Sequence, residues 1–278
     1  MIKRILVGIA DPTYTASATR HAIEIAQRCG AQLTGVSILD VAGIRKEAAS
    51  VPLAGGGYTS ELRAAALQDA QHSIDESVDT FVRLCDDAGV SQEFHKVSGD
   101  PFQEFIERSK YNDLMICGLR RLFEHGVLPE PKDELAKLVA AGVRPLVATA
   151  AAYRPVKKVL IAYSNSVESA KTMRRFTQLS HVIAPLAEIQ IVSFGKLTGD
   201  GPATLIKARD YMQAHGLEAE IKFIEGGART GLLDHASEWQ ADLIVMGNSA
   251  KNVLRKKVFG ETALHTISNA EIPLFLAQ

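Results

Sequence analysis

The sequence predicts an α/β fold built from two doubly wound domains in tandem, each a five-stranded parallel sheet with helices on both faces. Three observations lead there. Short, nearly continuous runs of Val, Ile and Leu recur along the chain, the composition of strands buried on both faces. Segments with apolar residues at helical spacing separate these runs. The order of runs is also stated twice. "KRILVGIA" (Lys3–Ala10) returns as "KKVLIAYS" (Lys157–Ser164), and "AQLTGVSIL" (Ala31–Leu39) as "AEIQIVSF" (Ala187–Phe194). "NDLMICG" (Asn112–Gly118) returns as "ADLIVMG" (Ala241–Gly247), and "VRPLVATA" (Val143–Ala150) as "EIPLFLAQ" (Glu271–Gln278). Four echoes in one order mean a duplicated domain.

Each element has its own signal. After the first strand, "ASATRHAIEIAQRCG" places Ala18, Ala22, Ile25 and Cys29 on one helical face and closes with Gly30. After the second strand, Val41–Ser60 ("VAGIRKEAASVPLAGGGYTS") breaks the pattern, and its Gly triplet reads as a mobile loop. "SGDPFQEF" reads as an N-cap followed by Pro at a helix start. "PFQEFIERSKY" is the helix before the fourth strand. "TAAAYRPVKK" marks the boundary, giving domains 1–151 and 152–278. In the second half "SAKTMRRFTQLS" repeats the first helix with Ala170, Met173, Phe176 and Leu179, and "TGLLDHASEWQ" precedes the fourth strand again. The strands are short and the crossovers helical, so right-handed βαβ connections follow.

The totals exclude several functions. With 46% hydrophobic and 23% charged residues in 278, the chain is globular, and its formal net charge of -1 offers no global attraction to nucleic acid or membrane. No apolar run approaches the roughly 20 residues a spanning helix needs. The basic start "MIKRILVGIA" reads as a strand rather than a cleavable signal. Three widely spaced cysteines, Cys29, Cys85 and Cys117, do not form a disulfide framework. A cytoplasmic location is the expectation. The eight histidines show no metal-ligand spacing, and no Ser–His–Asp set, paired-carboxylate site or HExxH motif appears.

The candidate site is "DLIVMGNSAKNVLRKKVFGETALHTI", Asp242 to Ile267. A strand ends at Gly247, a polar and basic segment with Lys251, Arg255, Lys256 and Lys257 follows, and Gly260 opens a helix carrying Ala263 and Ile267. Helix starts offer free N–H groups and a positive dipole end to anions, and Thr262 adds a hydroxyl. Glycines at these two places are also ordinary punctuation of an α/β chain. Likewise Ser164, Asn165 and Ser166 either cap a helix or face a ligand.

These residues resemble the universal stress protein family (UspA-like) in its tandem two-domain form. The resemblance covers nearly the whole chain: a first strand like "ILVGIA", a "GDP" before the third helix, "ADLIVMG", and a last strand introduced by Pro. It implies flavodoxin-like (adenine nucleotide alpha hydrolase-like) halves forming an intramolecular pseudo-dimer, with Leu146–Thr149 pairing against Leu274–Leu276. ATP-binding members carry G-x2-G-x9-G-[ST] after the fourth strand, an Asp at the end of the first, and backbone contacts at the end of the second. Carried over, these fall on Gly247, Ala250, Gly260 and Glu261 with Thr262 next, on Ser164, and on Ser193; Asn248 adds a backbone contact. Ala250, Glu261 and Ser164 depart from the pattern. A carboxylate at Glu261 repels phosphate unless it turns away or holds Mg²⁺.

In the first half Gly118 is kept, but Pro129 and Pro131 with acidic neighbours replace the helix-start glycine. The Asp position falls on Ala10, with Asp11 one residue late. That half is expected to be degenerate and structural. The resemblance implies a stress-responsive regulatory protein holding ATP or a related adenine nucleotide in its second half. An unknown protein partner reads occupancy, with further homodimerisation left open. Two alternatives stay open: an interaction scaffold with vestigial pockets, and a slow nucleotide hydrolase lacking an evident base.

Overall fold

The computed structural model describes residues 1–41, 58–119, 135, 137–139, 141–143, 145–196, 201–247 and 260–277. They pack as two compact units, one of Ile2–Val143 with Ala151–Tyr153, the other of Arg144–Ala150 with Arg154–Gln278.

The first unit contains β1 (Arg4–Gly8), α1 (Pro12–Cys29), β2 (Gln32–Leu39), α2 (Tyr58–Asp87), β3 (Gln92–Ser98), α3 (Pro101–Ser109) and β4 (Leu114–Gly118). Its strands lie in the order β3-β2-β1-β4, all parallel, with Ile5 opposite both Leu33 and Leu114. The helix ends follow local chemistry. Asp11 accepts the Thr13 N–H at 2.8 Å to start α1 with Pro12 in the first turn. Gly30, in the left-handed region at φ 64°, ends it. Asp100 does the same for α3, accepting from Phe102 and Gln103 ahead of the turn that Pro101 opens. Ala18, Ala22 and Ile25 of α1 are buried as their spacing predicts, and Cys29 is half-buried. Residues 42–57 of the expected loop lie outside the described residues, and α2 begins at Tyr58.

The second unit contains β5 (Leu146–Thr149), β6 (Lys158–Ala162), α4 (Val167–Ile183), β7 (Glu188–Gly195), α5 (Gly201–Ala214), β8 (Glu220–Glu225), α6 (Ala228–Glu238), β9 (Leu243–Gly247), α7 (Glu261–Asn269) and β10 (Leu274–Ala277). Its strand order is β5-β10-β9-β6-β7-β8. All neighbours are parallel except β5, which runs antiparallel to β10 with Leu146 opposite Leu276 and Ala148 opposite Leu274. The pairing expected between these two runs is therefore present, and the last strand of the sequence's first half lies in the other unit's sheet. Phe275 of β10 packs edge-on against Phe176 of α4, ring centroids 5.7 Å apart.

One aspartate does the same work in both repeats. Asp113 accepts the N–H groups of Lys3 and Arg4 at 2.7 and 3.1 Å, and Asp242 accepts those of Lys157 and Lys158 at 2.9 Å each. The Asp of "NDL" and "ADL" thus pins the start of the neighbouring first strand, a structural use of a motif residue.

Candidate functional site

In each unit the chain winds outward in one direction and then returns to the other side of its first strand. That reversal falls between β1 and β4 in the first unit and between β6 and β9 in the second. Open α/β sheets bind ligands in the crevice at the carboxyl ends of such strands. Ser164 and Gly247 stand at that place in the second unit, and Ala10 and Gly118 in the first.

The two crevices differ in exposure. Ser164 is exposed and Gly247 half-buried, as are Tyr163, Phe194 and Gly195; Lys196 just beyond β7 is exposed. In the first unit Ala10, Gly118 and Leu119 are buried, and Ile9 is only 2% exposed. Burial pushes the Tyr163 phenol above its usual range, because a partly enclosed ring disfavours the phenolate.

Gly247 is glycine for a reason the sequence does not show. A Cβ there would lie 2.7 Å from the Glu168 carbonyl oxygen and 2.9 Å from Thr172 Oγ1, so the first turn of α4 packs directly on the strand end. The Thr172 hydroxyl is itself held between Ala277 O at 2.6 Å and Glu168 O at 2.9 Å. Helix packing therefore accounts for this glycine without a ligand.

Gly260 is different. It is the N-cap of α7 with φ -70° and ψ 155°, extended backbone that any residue adopts, and it supplies no side-chain cap. The opening N–H groups of α7 thus receive nothing from the cap residue. Glu261 is exposed in the first turn, where its charge complements the helix dipole but opposes a second anion. Thr262 is half-buried, and its carbonyl accepts from the Thr266 hydroxyl at 2.9 Å. Asn248 and Ala250, with the basic segment, lie outside the described residues.

The Ser164–Ser166 turn is occupied by capping. Ser166 accepts the Ser169 N–H at 3.1 Å as the N-cap of α4, Asn165 takes the left-handed region at φ 59°, and Ser164 Oγ lies 3.1 Å from Ser166 Oγ. The Ser164 hydroxyl still faces solvent at the crevice. Ser193 is 9% exposed, two residues before the end of β7, so its contribution there is confined to a nearly enclosed hydroxyl. Structure thus brings Ser164 and Gly247 to one crevice and sets Gly260, Glu261 and Thr262 at the start of the helix that follows β9. It adds Glu168, Thr172 and Tyr163, which no motif signalled. No group of three or more His, Cys, Asp or Glu side chains suited to a metal ion occurs among the described residues. No helix among them is long and apolar enough to cross a membrane.

A model of the universal stress protein family matches residues 1–138 and 155–278. The chain belongs to the universal stress protein family. Universal stress protein Slr1230 of Synechocystis sp. is 24% identical over 98% of this chain and 99% of its own. Stress response protein NhaX of Bacillus subtilis is 20% identical over 43% of this chain and 80% of its own. Among solved structures, a universal stress protein from Archaeoglobus fulgidus aligns over 99% of this chain and 98% of its own at TM-score 0.63 and 15% identity. The functionally unknown protein PA1789 from Pseudomonas aeruginosa aligns over 99% and 92% at TM-score 0.62 and 16% identity. Both establish the shared fold, a mostly parallel sheet with alternating helices in tandem two-domain form.

Proposed function

We propose that this chain is a stress-response regulator whose second half holds an adenine nucleotide, ATP or a close relative, at the crevice between β6 and β9. The observation that carries the reading is the open reversal point at Ser164 and Gly247, followed by a helix whose cap, Gly260, leaves its first amides unclaimed by a side chain. In this reading those amides and the Gly247 and Asn248 backbone receive phosphate, Ala250 stands where the family pattern has glycine, Thr262 adds a hydroxyl, and Ser164 contacts the ribose, with the strand end at Ser193 beside it. Mg²⁺ would answer the Glu261 charge. Ligand occupancy is then read by a protein partner in the cytoplasm.

A second reading is favoured by two specific observations: Gly247 is fully explained by Glu168 and Thr172, and Glu261 places a carboxylate where the family's hydroxyl would stand. It makes the chain an interaction scaffold without nucleotide. Thermal unfolding with millimolar ATP and Mg²⁺ separates the two, because a ligand of the native state must raise its stability. The nucleotide reading expects a rise in Tm that Gly260→Asp abolishes, since Asp caps α7 and repels phosphate. The same variant should itself be at least as stable as the parent without nucleotide. An unchanged Tm in the parent chain leaves the scaffold.

A further inference from the structure

Three residues at the seam between the repeats are tied back to the first unit. Arg144–Ala150 and the chain from Arg154 onward belong to the second unit, whereas Ala151–Tyr153 belong to the first. Ala151 and Ala152 are exposed and Tyr153 is half-buried, so the tyrosine side chain is the fastening. Its ring packs on His21 of α1, centroids 4.9 Å apart, and the Arg20 guanidinium stands 5.8 Å from the same centroid. Its hydroxyl donates to Glu24, whose other carboxylate oxygen meets Arg28 at 3.1 Å.

The fold does not require this cluster. With Thr15 matching Ser169 and Ala26 matching Ser180, the buried positions of α1 recur in α4 except at Ser17 and His21. Their counterparts are Lys171, exposed, and Arg175, half-buried. In α1 the His21 ring is 4% exposed with Nε2 unpartnered, and the Ser17 hydroxyl one turn earlier is buried and unpartnered too. Polar atoms enclosed without partners cost stability, so this burial has no rationale in packing alone.

We propose that Ala151–Tyr153 form an acid-released strap: protonation of His21 frees Tyr153 from α1 and loosens the seam while α1 stays folded. A neutral imidazole tolerates the enclosed place with one nitrogen bare, whereas an imidazolium would hold its charge away from water. Burial pushes the pKa of His21 down to about 4, with Glu24 opposing and Arg28 adding to the shift. Glu24 is already engaged by Tyr153 and Arg28, and Arg20 adds a second positive charge beside the ring. The elements packed on α1 bring no counter-charge. Among the described residues, the buried positions of β1, β2, β4 and α2 hold no charged side chain, and Cys85 and Cys117 are their titratable groups. Burial pushes the Cys85 thiol up to about 12, so it stays neutral.

The sign follows from the lowered pKa. Above pH 6.5 the ring is neutral whether the strap is shut or open, and closure keeps its full strength. As pH falls from 6.5 towards 4, the open form takes up a proton that the shut form refuses. Between pH 7 and 5 the open population therefore grows about twentyfold.

Native-state proteolysis with proteinase K, which works at both pH values, reads that population when cleavage is slow relative to reclosing. Initial cleavage between Ala150 and Pro155 of the full chain, mapped by mass spectrometry, is divided by the rate for a free peptide of the same sequence. The normalised rate should rise about twentyfold from pH 7 to pH 5 and exceed cleavage within α1, which reads unfolding of the unit. His21→Leu should make the seam rate independent of pH. Tyr153→Phe, which keeps the ring and loses the bond to Glu24, should raise it at both pH values. A parent rate that does not change with pH, or seam cleavage no faster than cleavage within α1, overturns the strap. Should His21→Leu not fold, the His21 ring titration decides by NMR: it should move from about 4 in the parent towards 6.5 in Tyr153→Ala. An unmoved titration overturns the strap.

Discussion

A methyl group added at Gly247 would sit 2.7 Å from a backbone carbonyl that cannot swing away. Gly247→Ala is therefore expected to lower unfolding free energy by about 1–3 kcal/mol in urea titrations with no nucleotide present. Gly260→Ala, at an extended backbone position, should lower it by less than about 1 kcal/mol. Two glycines that look alike in the sequence thus part company. A third residue, His21, governs acid behaviour. It is buried against the Tyr153 ring, centroids 4.9 Å apart, and its Nε2 has no partner. Burial pushes its pKa down to about 4, with Glu24 opposing and Arg28 adding to the shift. Above the unfolded value near 6.5 the ring is neutral in both states, and its full contribution to stability is present. As pH falls from 6.5 to about 4 the unfolded chain takes up a proton that the native chain refuses. About 3 kcal/mol is lost across that window and no more below it. Urea midpoints at pH 7 and 4.5 should show this loss, and His21→Leu should remove most of it.

Among the elements, apolar runs, caps and crossovers were legible because each depends on neighbours along the chain. Asp11, Asp100 and Ser166 cap their helices as local patterns suggest, and Gly30 ends α1. Contacts between distant elements were not legible. Nothing near Gly247 announces Glu168, and nothing near Ala10 announces the buried Ser77 hydroxyl that donates to its carbonyl at 3.1 Å. The Gly35–Phe81 contact is another such case. Its counterparts in the repeat are Ile191 and Ala208, both buried, so bulk has moved from helix to strand. Phe81→Ala should cost about 3–5 kcal/mol through the cavity it leaves. Adding Gly35→Ile should recover a substantial part, and a double-mutant cycle in urea would show the coupling. A non-additivity near zero would mean that the two residues do not share that space. The strand-start clamp is simpler: Asp242→Ala strips two backbone N–H groups of their acceptor and should cost about 1–2 kcal/mol.

At the scale of the whole chain, the repeated pattern conveyed the α/β architecture, because duplication is written in order and spacing, and the resemblance carried by "ILVGIA", "GDP" and "ADLIVMG" conveyed the family. It conveyed the proposed ligand site less well. The family pattern's glycine and hydroxyl positions are partly replaced here, by Ala250 and Glu261.

The position of β5 has a practical consequence. Leu146–Thr149 precede the seam between the repeats yet flank β10. Scissors applied at the seam would therefore separate the downstream lobe from a strand that pairs with its last one. A fragment starting at Arg154 exposes the bare hydrogen-bonding rim of β10 and should self-associate in light scattering, as unprotected rims do.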